Sequence, residues 1–242
     1  MKKIMKFIVL AIVFPALIIS TAGLAYLHFF ASNDKNLSGE WTASLDVTEQ
    51  AAVMALGWLQ DIEAVSVSMQ DMESHMQGLE IAVRLTFEET QRSAGTFRCD
   101  VLPESYDSCN QAAYEAFASA FRQLLAERLR MADYAGGTDD EAVEALVAET
   151  FGMSTVSYLM SCGPKLLPSL EELQAQYEGS GTYETKEGIL TRQFEDGESV
   201  RTKEEQYVRK GTHLILTGER DAASQGYFAD HYPVLYTLEP QE

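Results

Sequence analysis

The chain has 242 residues, with 37 Asp or Glu against 18 Lys or Arg and a formal net charge of −19. So acidic a surface repels nucleic-acid phosphates and anionic headgroups, which excludes nucleic acid as a partner class. An apolar content of 46% is ordinary for a folded domain and excludes general disorder.

Lys2, Lys3 and Lys6 precede an uncharged stretch from Phe7 to Phe30. About 20 helical residues cross the hydrocarbon of a bilayer, so residues 7–30 are expected to form a membrane-spanning helix. Lysines before the span put the N-terminus inside the cell, and Tyr26, His28, Phe29 and Phe30 suit the far interface. A cleavable signal peptide is the alternative, with Phe7 to Ile19 as its apolar core and Ser20-Thr21-Ala22 or Gly23-Leu24-Ala25 as its cleavage site. Both readings export the remainder of the chain. The expected location is the cell membrane, single-pass with the C-terminal domain outside, or the exterior after cleavage. Residues 1–31 are then the anchor or signal, and 32–242 one extracytoplasmic domain.

Trp41, Ala43 and Leu45 alternate with polar residues after Gly39, which predicts a half-buried strand. Asp46 with Glu49 makes a capping-box pattern before a helix over roughly Glu49 to Leu59. Ile62 to Gln77 fits a short helix or a strand. Leu79, Ile81, Val83, Leu85 and Phe87 then recur at period two, which lines one face of a strand. Phe97, Cys99 and Val101 alternate again as its hairpin partner.

The period changes to helical from about Ser108 to Tyr134, where Ala113, Phe117, Phe121, Leu124, Leu125 and Leu129 form a stripe. Gly136-Gly137 is expected to end that helix. Thr138 with Glu141 opens another that Gly152 closes, a short turn of helix runs from Thr155 to Ser161, and Ser169 with Glu172 caps a last helix near Tyr177. Strands come next over Gly181 to Thr185, Ile189 to Phe194 and Ser199 to Arg209, with Asp196-Gly197 as a hairpin signal. Lys210-Gly211 turns into His213 to Thr217. A loop from Gly218 to His231 leads to a last strand carrying Val234, Tyr236 and Leu238, for which Pro233 suits an edge or a start.

This order predicts an α+β fold: an antiparallel, partly barrel-like sheet with an α-helical insertion over about residues 105–178, on one N-terminal transmembrane helix. Gly39-Glu40-Trp41 on the first strand, with the antiparallel meander at residues 179–238, resembles the lipocalin-like (calycin-type) barrels of exported bacterial proteins. The resemblance implies an indole across the closed end of a barrel, with an Arg from a late strand over it; Arg192, Arg201 and Arg209 are the candidates. The helical middle departs from that family, whose strands run as consecutive hairpins.

Catalytic and metal chemistry finds no motif. His75, His213 and His231 have no i, i+4 pairing and no HExxH context, and Asp139-Asp140-Glu141 reads as a helix start, not a calcium loop. Gly179-Ser180-Gly181 lacks the spacing of a nucleophile elbow. No cofactor is called for. Cys99 and Cys109 are disulfide candidates at an exported location, and a buried reduced Cys99 accounts for its alternation equally well. Trp41, Val83, Phe87, Phe97, Tyr183, Tyr207 and Tyr236 would line a cavity inside a curved sheet, or make an ordinary core. The expected function is a non-enzymatic, membrane-anchored binding module for a small apolar ligand or an envelope protein. The alternatives are a scaffold that docks partners on its helical insertion, or a hydrolase.

Overall fold

The computed structural model describes residues 36–60, 68–196, 199–219 and 232–240. Within them the strands are β1 (Gly39–Asp46), β2 (Glu80–Gln91), β3 (Ala94–Val101), β4 (Gly179–Lys186), β5 (Ile189–Asp196), β6 (Ser199–Lys210), β7 (His213–Glu219) and β8 (Val234–Leu238). They close into an antiparallel barrel in sequence order. The seam is the pairing of β1 with β8, Trp41 opposite Leu238 and Thr42 opposite Thr237. Closure leaves neither strand as an open edge. The sheet is therefore a complete barrel, where the sequence predicted a partial one.

The fold class needs a second correction. No helix among the described residues is long and apolar enough to cross a membrane. The longest spans 29 residues, but charges such as Asp107, Glu115, Arg122 and Glu127 recur along it. Residues 7–30, where the spanning helix was expected, lie outside the described residues. The fold that stands is α+β with an eight-stranded antiparallel barrel.

The hairpins obey their turn chemistry. β4 and β5 are joined by Glu187 and Gly188, at φ 53° and 78°, the paired positive angles that a two-residue hairpin turn demands. Asp196 pairs with Ser199 across the next hairpin; Gly197, on which the turn signal rested, lies outside the described residues. Lys210 opposite His213, with Gly211 at φ 61°, makes the β6–β7 turn. Pro233 stands immediately before β8, where no ladder donor is required.

The helices are α1 (Thr48–Gln60), α2 (Met69–His75), α3 (Pro103–Met131), α4 (Asp140–Phe151), α5 (Thr155–Cys162) and α6 (Leu170–Tyr177). The ambiguous Ile62 to Gln77 stretch contains α2, whose N-terminus is closed by a reciprocal Ser68–Asp71 box. α3 starts earlier than its apolar stripe, because Pro103 at the first turn loses no needed donor and presets φ. It also ends earlier than Gly136-Gly137: Asp133 takes the left-handed conformation at φ 51°. Asp139, not Thr138, caps α4, and Gly152 closes it at φ 74°.

The chain divides into two compact units. Among the described residues, one comprises 36–43, Leu85–Cys99 and those from Gly179 onward. The other comprises Ser44–Arg84 and Asp100–Glu178. In the second, the mainly helical unit, Trp58 meets Phe117 edge-on at 5.8 Å and Phe121 at 6.1 Å. Phe117, Val143, Val147 and Leu159 are buried in the same unit.

Candidate functional site

Alternate residues of a closed barrel point inward, and the buried parity of each strand marks that face. In the barrel unit it carries Trp41, Phe87, Phe97, Tyr183, Phe194, Tyr207 and Tyr236, all buried. Phe87 meets Tyr183 edge-on at 4.8 Å. Phe97 and Phe194 are both register partners of Gly181 and meet edge-on at 4.8 Å. Position 181 takes only glycine, since a Cβ there would collide with the carbonyl oxygen of Gln193.

Trp41 is fixed by its own strand entry: its Nε1 donates to the Leu37 carbonyl at 2.7 Å. The Arg209 guanidinium lies 5.3 Å from the indole centroid. Of the three arginines that the resemblance allowed, Arg209 is the one over Trp41. Burial pulls the Arg209 pKa down from its ordinary value, with Tyr207 opposing. An aromatic face offers a desolvated cation an attraction of about 2 kcal/mol.

The rest of the interior is not purely apolar. Arg192 shares its parity with Leu190 and Phe194 on β5, and Glu205 shares its parity with Tyr207 on β6. Arg192 is 5% exposed and Glu205 0%. Arg192 Nε and Nη2 both donate to Glu205 Oε2, at 2.7 and 2.6 Å. The Tyr232 hydroxyl donates to Glu205 Oε1 at 2.5 Å, and Lys203 Nζ lies 3.8 Å from that oxygen. Arg192 Nη1 reaches Cys99 Sγ at 3.0 Å. The same guanidinium lies 5.5 Å from the Phe97 ring centroid and 5.4 Å from that of Phe194. A buried ion pair is thus set among aromatic rings.

Burial pushes the Tyr183 phenol up to about 12, reinforced by the Glu89 carboxylate and Tyr207. Tyr183 is therefore a neutral hydroxyl on the barrel wall at physiological pH. A cleft of about 540 Å³, lined by Ser38, Glu40, Phe87, Glu88 and Glu239 among others, carries several carboxylates. Among the described residues no group of three His, Cys, Asp or Glu side chains is placed to hold a metal ion.

Six of the seven expected cavity residues lie in the barrel unit; Val83 is buried in the other. Cys99 and Cys109 are both reduced thiols, not bridged. The Cys99 sulfur is engaged by Arg192, in keeping with the buried reduced thiol that was the alternative to the candidate bridge. Cys109 sits on α3, where burial, then Asp46 and Glu80, push its thiol up to about 11. His213 is exposed, and His231 lies outside the described residues. Glu205 and Tyr232 are functional candidates that the sequence reading missed, and Arg192 was weighed only as a partner for Trp41. Arg192 carries a legible signal, a charge between Leu190 and Phe194 on the inward parity of β5; Glu205 carries none, because Arg201, Lys203 and Arg209 share its parity on β6.

No family model, curated protein or solved structure matches this chain. The closed eight-stranded antiparallel barrel is compatible with a lipocalin-like fold on its architecture alone.

Proposed function

We propose that the protein is a non-catalytic binding module whose barrel interior takes a small ligand with an apolar body and a polar end. The observation that carries this reading is the buried Arg192–Glu205 pair, bonded at 2.6 Å among Phe97, Phe194 and Tyr183. A buried ion pair adds little stability over apolar side chains of similar volume, because desolvation offsets the Coulomb gain. Packing alone would be served as well by leucines or methionines. Fixed charges of both signs on an aromatic wall serve recognition: they orient a polar headgroup while the rings hold the apolar part.

The test replaces both charges at once in the full chain. The Arg192→Met/Glu205→Met variant is expected to melt at the wild-type temperature or above, and to lose binding of 1-anilinonaphthalene-8-sulfonate and of competing apolar carboxylates and amines. Equal probe affinity in a folded double variant would sink the role of the pair. The single change Glu205→Gln is expected to cost about 3–5 kcal/mol in denaturant unfolding, since it leaves the Arg192 charge buried without its counter-charge.

A further inference from the structure

The barrel wall is uneven in height. β8, five residues long, is the shortest strand, whereas β6 has twelve. β8 begins at Val234, which lies opposite Leu216 on β7, and Leu216 lies opposite Tyr207 on β6. β6 extends past that level to Ser199, still paired with β5, and β7 runs on to Glu219. The wall therefore steps down at β8. Glu205 stands just past the level of the step, opposite Glu219, and is nevertheless fully buried.

Among the described residues, Tyr232 stands over this step. It precedes β8 and is half-buried. Its hydroxyl donates to Glu205 Oε1 at 2.5 Å, and its ring centroid lies 5.4 Å from Lys203 Nζ. From that hydroxyl a line of contacts runs inward. Glu205 Oε2 accepts from Arg192 at 2.7 and 2.6 Å, and Arg192 Nη1 reaches Cys99 Sγ at 3.0 Å. Arg192, Lys203, Glu205 and Cys99 stand on strands paired within the sheet. Tyr232 stands outside the strands, so turning it about χ1 breaks its own contacts and no ladder hydrogen bond. A phenol on a carboxylate makes a charge-assisted bond, which holds the closed rotamer more firmly than a neutral contact would.

We propose that Tyr232 is the gate of the barrel: its side chain closes the low side of the wall over the Arg192–Glu205 pair and swings out to admit a ligand. The purpose of the gate rests on the ligand-binding reading; its opening does not, and is measured without a ligand.

Cys99, buried at the inner end of these contacts, reports the opening. In the full chain carrying Cys109→Ala and Cys162→Ser it is the one remaining thiol. Its alkylation by iodoacetamide is followed at fixed pH, without denaturant and across urea concentrations below the unfolding transition. A side-chain gate exposes little surface, so the rate is expected to stay flat in urea, whereas access through global unfolding makes it climb steeply. Tyr232→Phe keeps the ring and loses the bond to Glu205. Losing a hydrogen bond to a charged group is expected to raise the rate about tenfold or more, again flat in urea. Tyr232→Ala is expected to raise it further. In stopped-flow mixing, 1-anilinonaphthalene-8-sulfonate is expected to enter and leave Tyr232→Phe faster than the wild type. Equal Cys99 rates in wild type and Tyr232→Phe overturn the proposal. So do rates that climb in urea with the full slope of unfolding in both chains, or probe kinetics that the substitution leaves unchanged. A probe that binds neither chain removes the ligand-binding reading, and the Cys99 rates still decide the gate.

Discussion

Tyr183 is a neutral phenol because ionising it would place a charge where burial strips away water, close to the Glu89 carboxylate. Its pKa is raised from 10.0 to about 12 in the folded chain. The unfolded chain therefore loses this proton first on alkalinisation. The contribution to stability is full below pH 10 and is lost as pH rises through about 12. Tyr183→Phe, which cannot ionise, is expected to keep more of its low-pH stability across that window than the wild type, measured by denaturant midpoints at stepped pH. Residue-scale legibility tracked parity. Phe87, Phe97 and Tyr183 were readable as inward-facing because each alternates with polar neighbours. Arg192 and Glu205 share that parity and were still unreadable as a pair, since nothing local says that β5 and β6 register Arg192 opposite Lys203 and so bring Glu205 within reach. Tyr232 completes the network from beyond β7, a distance in sequence that no periodicity spans.

The helical elements are governed more by their ends than by their stripes. On α6, Ser169 Oγ accepts from the Glu172 backbone N–H at 3.3 Å, and Glu172 Oε2 accepts from the Ser169 N–H at 2.7 Å. Lys165, first, and Ser169 hold the Glu172 carboxylate down to about 2. A depressed carboxylate contributes stability above its unfolded value of 4.5 and loses it as pH falls through about 2. Ser169→Ala is expected to cost about 1 kcal/mol near neutrality, the usual worth of such a cap. The difference between wild type and Glu172→Gln should shrink as thermal melts are taken from pH 4.5 down to 2. That cap was visible as a Ser-x-x-Glu spacing. The ends of α3 were not, because the apolar stripe begins only after Pro103 has already started the helix, and Asp133 takes a positive φ that glycine was expected to supply. Glu144 shows how such ends are tied together. Burial would raise its pKa, but hydrogen bonds from the Thr155 hydroxyl and backbone N–H, with the Arg122 charge, outweigh burial and lower it.

At the scale of the whole molecule, the three cysteines report on the fold. Cys99 and Cys109 are buried reduced thiols, and Cys162 is exposed. A thiol reagent at neutral pH is expected to modify one cysteine quickly in the native chain and all three in the denatured, unreduced chain. A count of one after denaturation would restore the Cys99–Cys109 bridge. The barrel's closure was also beyond the sequence, because alternation names strands without naming neighbours. β3 and β4 are adjacent in the sheet, yet α3 to α6 intervene between Val101 and Gly179. The seam is more distant still: the Thr42 hydroxyl donates to the Thr237 carbonyl across 195 residues. Protein synthesis runs from one end only. The first strand of this barrel therefore leaves the ribosome long before its closing partner exists, and the edge it will offer to β8 stays open, or shielded by a chaperone, until β8 has been made.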